Sequence, residues 1–434
     1  MENTLEIGEE MPVTQENIVK FNETLDPADK KFKEVKKFDE DENLELFSYI
    51  TCTDEDSKFL KSCRGVIFDK KTGSQVTPLV SSFSYTQEYT SEDVFTDEHF
   101  DSLKETDLTK YKFYDSHEGA VVRIFQCNGK VYLSTNHKLD ANKSKWSSTV
   151  SYGEMFHNAL EHMYKTNETF KKQVGDLGSN EDLFTKFVSS CLDMNNQYLF
   201  LVRNNDENRI VCDSLENPTI FHVGTYTPEG FSMLVDSSIP YAQSHKFQTV
   251  RNVIKYVETI KFEEIQGLVV FPPIGDTFKI YNLDYFDLYN ARGNEASIKY
   301  RYLQVRMDER QRNMLYFLYP GSKEDFDNYE NMLYSIAQVI NYNYILRFIK
   351  KSYISLPMEE YHVMKACHQW HLTDRANNRI SVEKVLNEIN QQPSTKLNKM
   401  IKRFKVVKNM LNANPQTPIN QDSLPYKLPK KFSF

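Results

Sequence analysis

The hydrophobic pattern divides the chain into two parts of different character. From about residue 46 to 290, short runs of alternating apolar and polar residues are separated by turn-forming residues, which is typical of antiparallel sheet. The clearest case is the pair 120–125 and 130–135, joined through Asn128-Gly129, a dipeptide that favours a tight two-residue hairpin turn. The same reasoning predicts strands at 64–69, 198–203, 208–213, 219–223, 266–271 and 277–282, and helices at 152–164, 181–194 and 247–259.

After about residue 296 the apolar residues recur every three or four positions, which predicts helices. The segment 396–411 places its apolar residues on one stripe and lysines over most of the rest. We interpret it as an amphipathic helix packed on the body of the protein with a solvated lysine face. The alternative is a contact with nucleic acid or a protein partner. The other predicted helices of this part are 326–341, 344–352, 359–370 and 381–389.

These patterns predict an α+β fold, in which an antiparallel-sheet core is followed by an α-helical C-terminal domain. Residues 1–45 show little periodicity and end in the acidic run 39–42, so we expect a loosely ordered arm there. The predicted organisation is an acidic N-terminal arm over 1–45, the sheet-rich domain over 46–295, a helical domain over 296–411 and a basic, proline-containing tail over 412–434.

Charge is distributed unevenly along the chain. The net charge is −8, yet residues 1–50 sum to −8 and residues 391–434 to +8. The acidic sequence pI of about 5.8 gives no argument for nucleic-acid binding from bulk charge. The two charged ends do suggest protein partners, which could bind through the acidic arm or the basic C-terminal helix.

Composition excludes several classes of protein. Glycine (14) and proline (15) are too scarce for a collagen-like or linker-rich chain, and no apolar run reaches the ~18 residues of a membrane span. The acidic start lacks a secretory signal, so we expect a cytoplasmic protein with reduced thiols and no membrane contact. His368 and His371 would share one helix face and could supply two zinc ligands. Because no second pair stands nearby, we predict no metal site.

Several short motifs occur in an order that resembles the phage-type ATP-dependent RNA ligases of the covalent nucleotidyltransferase superfamily. We also expect relatives among large DNA viruses. The resemblance covers about 46–290 and implies a nucleotidyltransferase fold; the helical C-terminal part also suits this family. The motifs that carry it are the segments 63–68, 81–85, 114–120, 130–135, 198–202, 207–211, 265–270 and 278–281.

In that family a lysine at the start of a Lys-x-Asp-Gly segment attacks the α-phosphorus of ATP and becomes a lysyl-adenylate. The matching position here is Ser116, which has no amine. Three other charged positions of the family are replaced, by Val202, Gln266 and Tyr281, although the apolar residues around each position are retained. The resemblance assigns catalytic positions to Ser116, Glu118 and Lys279, and nucleotide-binding positions to Arg64, Gly65, Phe83, His117, Gly119 and Gln266, and these side chains should converge on one cleft.

The combination predicts an RNA ligase-like protein with a degenerate adenylation site that binds a nucleotide or RNA, or that scaffolds a nucleic-acid-processing complex. The alternative is an active ATP-dependent RNA ligase or nucleotidyltransferase with a relocated nucleophile, for which His117 is one candidate. Only this alternative requires ATP and Mg²⁺. A viral protein of this kind would act in the host cytoplasm or a viral factory.

Two groups of cations are candidate nucleic-acid contacts. The first lies just after the hairpin, beside Trp146, and a solvated loop explains it equally well. The second lies at the predicted domain edge, where ordinary salt bridges are the preferred explanation. The residues are Lys138, Lys143 and Lys145 in the first group, and Arg292, Lys299 and Arg301 in the second.

Overall fold

The computed structural model describes residues 11–96, 107–179, 181–203, 208–232, 239–273, 276–413 and 424–429. The chain divides into two compact units, 1–287 and 288–434. The first contains three mainly antiparallel sheets and several helices, and the described part of the second is helical. The predicted α+β class with a helical C-terminal region is therefore confirmed. No helix within the described ranges is long and apolar enough to cross a membrane.

The expectation of a loosely ordered arm over 1–45 is wrong for the residues that the structure describes. These residues form two helices and two strands, and the strands pair with a third to make sheet A. The acidic run has local partners, because the Asp39 carboxylate accepts from the Leu139 amide at 2.9 Å and Asp41 accepts from the Tyr132 hydroxyl at 2.9 Å. The elements are α1 (Gln15–Thr24), α2 (Pro27–Lys33), β1 (Val35–Glu40), β2 (Leu44–Tyr49), α3 (Lys58–Ser62) and β3 (Val66–Asp69).

Sheet B has five strands in the order β11-β5-β12-β13-β4, and its two faces differ in chemistry. One face is apolar, since Phe113, Leu268 and Ile280 pack against α8 in a buried cluster. Side chains alternate along each strand, so the opposite face carries Ser116 and Lys279. The elements are β4 (Gln87–Thr90), α4 (Asp93–Thr96), β5 (Lys112–Ser116), β11 (Ser244–His245), α8 (Val250–Thr259), β12 (Gly267–Phe271), β13 (Phe278–Tyr281) and α9 (Leu283–Arg292).

Sheet C has the order β10-β9-β8-β6-β7 and is covered on one face by three helices. The predicted hairpin is confirmed: Cys127 pairs with Lys130, and Asn128 and Gly129 both have positive φ, at 50° and 76°. The predicted helices at 152–164 and 247–259 are confirmed within three residues at each end. The elements are β6 (Ala120–Cys127), β7 (Lys130–Ser134), α5 (Tyr152–Thr166), α6 (Glu168–Val174), α7 (Leu183–Cys191), β8 (Gln197–Val202), β9 (Ile220–Thr227) and β10 (Gly230–Ser232).

The strand predicted at 208–213 is wrong, because the described backbone there forms turns and irregular structure. Its polar groups bond to side chains and distant loops in place of a neighbouring strand. The Val211 amide donates to Glu118 at 2.7 Å, the Cys212 carbonyl accepts from Arg209 at 3.1 Å, and the Asp213 amide donates to a distant carbonyl. The apolar pattern of this segment therefore reflects burial of Val211 and Cys212 without a sheet ladder.

The second unit is built around one apolar cluster. The predicted segments fall on helices, although the one predicted at 344–352 ends at Ile349, and the helices Ile298–Val305 and Glu309–Leu318 were not predicted. The last helix buries Leu397, Met400, Ile401, Phe404 and Val407, as its apolar stripe predicts. Most of the predicted tail lies outside the described residues, but 424–429 include two buried side chains of this cluster. The elements are α10 (Ile298–Val305), α11 (Glu309–Leu318), α12 (Lys323–Tyr344), the π-helical turn Ile345–Ile349, α13 (Met358–Thr373), α14 (Val382–Asn390) and α15 (Ser394–Ala413).

Candidate functional site

A hydrogen-bonded chain of buried polar side chains lies where β5 passes from sheet B towards β6 of sheet C. The Ser116 hydroxyl donates to Gln266 Oε1 at 2.9 Å, and Gln266 Nε2 donates to the Tyr285 hydroxyl at 2.7 Å. Tyr285 in turn donates to Glu118 Oε1 at 2.9 Å, and Lys279 Nζ lies 3.4 Å from Gln266 Oε1. Ser116, Gln266, Glu118 and Lys279 are therefore brought together, with Ser116 and Lys279 sharing one acceptor atom.

Two glycines permit the close approach of strands at this chain. A Cβ on Gly267 would lie 2.1 Å from the carbonyl oxygen of Ile280, and one on Gly119 would lie 2.3 Å from that of Val202. Both glycines also have φ near +155°, a conformation that other residues rarely adopt. Gly119 thus has a backbone role beside the site. Val202, the match to a family glutamate, is buried in the apolar cluster on the helix-covered face of sheet C.

Lys279 is the cation of the hydrogen-bonded chain. Burial lowers the pKa of its ammonium group, Glu88 opposes that shift, and nearby Arg64 adds to it. Its Nζ also lies 3.4 Å from the Tyr281 hydroxyl, which donates to Glu88 at 2.6 Å. Tyr281 occupies the position of a second family lysine. Its hydroxyl connects Lys279 to the carboxylate of Glu88.

Glu118 is 1% exposed, and burial raises the pKa of its carboxyl group. The backbone amides of Val211 and Cys212 and the Tyr285 hydroxyl oppose this shift, since each stabilises the carboxylate. These contacts fix the side chain as a structural link between β5, the segment after β8 and α9. Glu207, in the same motif region, lies outside the described residues.

His117 contacts a different set of groups from Ser116. Its ring stacks on Phe221 with centroids 4.4 Å apart, and its Nδ1 lies 3.0 Å from an Arg203 guanidinium nitrogen. Burial first, and then the charge of Arg203, lower the pKa of His117 to about 4. The imidazole is neutral at pH 7, and its Nδ1 accepts a hydrogen bond from Arg203, so this lone pair is not free to attack phosphorus.

Two arginines add positive charge near the start of β3. Arg64, half-buried, donates to the Ser84 carbonyl at 3.4 Å. Arg123 is fully buried, and its guanidinium donates to the carbonyls of Gly65 and Thr135, the latter at 2.6 Å. Burial lowers the pKa of Arg123 to about 9. Sequence reasoning missed Arg123, although an arginine inside an otherwise apolar strand is a usable signal, since such a side chain needs buried acceptors.

Phe83 packs among aromatic rings from two sheets, including Phe271 on the same face of sheet B as Ser116 and Phe231 of sheet C. Its ring lies 5.5 Å from that of Phe231 and 6.3 Å from that of Phe271, and the last two stack at 5.7 Å. Phe271 and Gly267 occupy opposite ends of β12, about 13 Å apart along the strand. Phe83 therefore stands apart from the hydrogen-bonded chain, in an aromatic set that also includes Tyr114 and Tyr226. Sequence reasoning missed Phe231 and Phe271.

The predicted nucleic-acid contacts of the first unit lie on its surface. Lys143 and Lys145 are exposed, and Lys145 donates to the Thr149 carbonyl at 2.5 Å. Lys138 lies 3.8 Å from Asp39, which partly neutralises it.

In the second unit, the predicted contacts have structural partners. Arg292 is 1% exposed and donates to the Tyr319 hydroxyl at 2.7 Å, so burial removes it from any surface contact. Arg301 donates to the carbonyls of Ala291 and Asn290, and Lys299 pairs with Asp325 at 2.9 Å.

The side chains of the site fit some of the ligands that the resemblance implies and not others. Arg64, Lys279 and the aromatic rings fit the phosphates and base of a nucleotide. The carboxylates of Glu88 and Glu118 already accept hydrogen bonds, and position 266 carries an amide, so these residues do not fit a protein-held Mg²⁺ ion. Within the described ranges, no group of three or more His, Cys, Asp or Glu side chains could hold a metal.

The chain is similar in sequence to viral proteins. It is 26% identical over 310 residues to an immediate-early protein ICP-46 homolog of Invertebrate iridescent virus 3, covering 69% of this chain and 63% of that relative. It is 23% identical over 224 residues to a putative bifunctional polynucleotide kinase/RNA ligase of Autographa californica nuclear polyhedrosis virus, covering 50% of this chain and 29% of that protein. The expected resemblance to ligases and to viral proteins is confirmed. No protein-family model matches the chain.

Solved ligase structures are also similar to the chain. A putative ATP-dependent DNA ligase from Aquifex aeolicus has a TM-score of 0.37 at 13% identity, covering 73% of this chain and 75% of that one. An archaeal ATP-dependent RNA ligase has a TM-score of 0.32 at 8% identity, covering 87% of this chain and 75% of that one.

Proposed function

We propose that this RNA ligase-like chain binds a nucleotide or a phosphorylated RNA end between sheets B and C without forming a covalent nucleotidyl intermediate. The observation that carries the proposal is the state of Ser116. A hydroxyl stands at the position of the family's lysine, is 4% exposed, and donates its proton to the amide oxygen of Gln266.

The environment of Ser116 does not supply the base that a hydroxyl nucleophile needs. Its hydrogen-bond acceptor is an amide oxygen, which does not take up a proton near neutral pH. The neighbouring cation, Lys279, contacts the same amide oxygen. His117, the nearest imidazole in sequence, is held by Arg203. These contacts support a site that has kept its binding groups and lost the nucleophile.

Binding would use charge at one end of the cleft and aromatic rings at the other. Lys279 and Arg64 provide charge-assisted donors for phosphate oxygens. A stacking surface for the base lies about one nucleotide length from the charged groups and is formed by Phe83, Phe271 and Phe231. The relative named as a polynucleotide kinase/RNA ligase supports RNA as the ligand class. A scaffolding role in a nucleic-acid-processing complex would be compatible with the same binding.

Lys279 favours a second candidate function, which is nucleotidyl transfer through a relocated nucleophile. It lies within reach of the Ser116 position, and burial lowers the pKa of its amine, which increases the neutral, nucleophilic fraction. In that reaction Nζ would form a bond to the α-phosphorus of ATP, the bond to the pyrophosphate oxygen would break, and the amine proton would pass to solvent.

Incubation with α-labelled ATP or GTP and Mg²⁺, followed by denaturing electrophoresis, separates the two functions. In parallel, binding of a fluorescent ATP analogue and of 5′-phosphorylated RNA is measured for the wild type, Lys279→Met and the control Lys112→Met. Lys112 is an exposed lysine on the same strand as Ser116. The proposal expects no covalent label, and binding that Lys279→Met weakens at least tenfold while Lys112→Met does not.

Two results would contradict the proposal. An acid-labile label that is lost in Lys279→Met and kept in Lys112→Met would establish the second candidate. Absence of binding of both the nucleotide and the RNA would leave the cleft without the proposed ligand.

A further inference from the structure

A basic and aromatic surface lies where α12 ends in the second unit. The helix continues into the π-helical turn Ile345–Ile349 and then into an exposed segment, which we call the 349–353 loop. Its Tyr353 is 93% exposed and Ile349 is 66% exposed. Lys350 and Lys351 stand between them and are also exposed.

The backbone of the 349–353 loop is fixed by its own hydrogen bonds. The Lys350 amide donates to the Ile345 carbonyl at 2.9 Å, and the Ser352 amide donates to the Leu346 carbonyl at 2.9 Å. These bonds close the π-helical turn, and at helix C-termini the residue with positive φ is most often glycine. Here it is Lys351, with φ of 56°. A long cationic side chain therefore occupies a position where glycine would be less strained.

Contacts after the loop hold it against α13. The Arg347 guanidinium donates to the Ile354 carbonyl at 2.8 Å and lies 5.3 Å from the centre of the Tyr361 ring. Ile354 is buried, so the chain on the far side of Tyr353 is anchored. The exposed side chains are thus presented from a fixed backbone, which lowers the entropy lost on binding.

The charges around the loop are mainly positive. The His368 ring stacks on Phe348 with centroids 3.9 Å apart. Burial, followed by the nearby His371, Arg375 and Lys351, lowers the pKa of His368.

Among the described residues, the two lysines of the loop are not neutralised by ion pairs. Asp374, next to Arg375, keeps its negative charge, and its carboxylate accepts from the backbone amides of Ala376 and Asn377, both at 3.2 Å. Within the described part of the chain, Lys350 and Lys351 form no ion pair with an acidic side chain. Lys350 and Lys351 therefore present their positive charges to solvent, while Asp374 offsets part of the charge around Arg375.

We propose that the 349–353 loop and the end of α13 bind single-stranded nucleic acid, with an unpaired base stacked on Tyr353 and the flanking phosphates on Lys350 and Lys351. An exposed ring beside two exposed cations offers a stacking surface for a base and charged donors for the adjoining phosphates of a single strand. The inference is independent of the cleft in the first unit, because it uses residues of the second unit alone.

Fluorescence anisotropy with the full chain tests the proposal, using labelled 20-nucleotide oligo(U), oligo(dT) and a 20-base-pair duplex. Tyr353→Ala should weaken oligo(U) binding by about 5- to 100-fold, while Tyr353→Phe stays within about twofold of the wild type. Replacing Lys350 and Lys351 by Gln should reduce the slope of log K against log salt by about 1.4. Comparison of oligo(U) with oligo(dT) shows which sugar is preferred. Both single strands should bind more tightly than the duplex.

A matched control removes the same side-chain types elsewhere on the second unit. It combines two charge removals and one tyrosine truncation at exposed positions, Lys323→Gln, Lys402→Gln and Tyr334→Ala. This control should bind the strand within about twofold of the wild type. Equal losses in the control and loop variants would overturn the proposal, and so would a preference for the duplex.

Two further measurements separate this proposal from other outcomes. Competition of oligo(U) by an equal charge of poly-glutamate would overturn it in favour of an acidic protein partner. The loop variants should keep binding of the fluorescent ATP analogue, whereas Lys279→Met should lose it. If the wild type binds the ATP analogue but no oligonucleotide, this inference alone is overturned. If the wild type binds an oligonucleotide through the loop but no nucleotide or RNA end through the cleft, the proposed function alone is overturned.

Discussion

Restoring two charges at the hydrogen-bonded chain tests whether positions 116 and 266 form one site. Ser116→Lys introduces an ammonium group into a buried position beside Lys279, while Gln266→Glu introduces a carboxylate within reach of both. Because Ser116 and Gln266 are 4% and 7% exposed and their side chains are 2.9 Å apart, water screens the new charges little. We expect the double variant to be more stable than the two single variants imply.

The magnitude follows from the contacts. An uncompensated buried charge at position 116 should destabilise the protein by about 3–5 kcal/mol. Gln266→Glu loses the 2.7 Å bond from Nε2 to Tyr285 and places a second carboxylate near Glu118, but gains attraction to Lys279. Two unit charges about 4 Å apart interact by about 4 kcal/mol at an effective dielectric constant of 20. Geometric adjustment reduces this, so we expect a coupling energy of about 2–3 kcal/mol.

Urea unfolding at pH 7 of the wild type, both single variants and the double variant measures this coupling. A control cycle pairs Gln266→Glu with Thr109→Lys, an exposed position seven residues before Ser116, and should be additive within about 0.5 kcal/mol. A coupling below about 0.5 kcal/mol between positions 116 and 266 would refute the reasoning. If Mg²⁺ strengthens ATP binding in the double variant but not in the wild type, this would add support for descent from a ligase.

Substitutions at three other positions test separate parts of the structure. Burial and Arg203 lower the pKa of His117 to about 4, while an unfolded histidine titrates near 6.5, so the contribution of His117 to stability is complete above pH 6.5 and is lost as pH falls. The free energy of unfolding in urea should fall by about 3 kcal/mol between pH 7 and 4 in the wild type, and this loss should be absent in His117→Phe. Gly267→Ala should destabilise by about 3 kcal/mol or more, because its Cβ would meet the Ile280 carbonyl; an unchanged midpoint would contradict this. Lys351→Gly should raise the free energy of unfolding by about 0.5–1 kcal/mol while weakening the binding of single-stranded nucleic acid. A loss of stability would show that the left-handed backbone at Lys351 is not strained.

The elements that sequence reasoning predicted correctly depend on local chemistry. Asn128-Gly129 specifies its turn because both residues tolerate positive φ. The stripe through Leu397, Met400 and Phe404 specifies a buried helix face because its spacing matches the helical period. In each case the residues that decide the structure lie within a few positions of one another.

What was missed depends on contacts between distant residues. The segment around Val211 has an apolar pattern, but its amide bonds to Glu118, 93 positions away. Tyr285 completes the hydrogen-bonded chain through partners 19 and 167 positions away, and no local pattern marks it. Sequence reasoning could identify which side chains replace the family's charges, but it could not specify how those replacements bond to each other.

The strand order of sheet B has a consequence for how the protein is made. Its strands come from five separated segments between Gln87 and Tyr281, and the parallel pair β13 and β4 joins the last of them to the first. Tyr281 and Glu88, which bond across that pair, are 193 positions apart. The polar face cannot assemble until the ribosome has synthesised the chain beyond Tyr285, because its last strands and Tyr285 itself do not exist before then. Closing loops of this length is also slow. Until β11 and then β12 have been synthesised, β5 lacks its partner strands, and its backbone is exposed to mispairing. The nascent chain is therefore most vulnerable to aggregation over the more than 100 residues that separate the synthesis of β5 from that of β12.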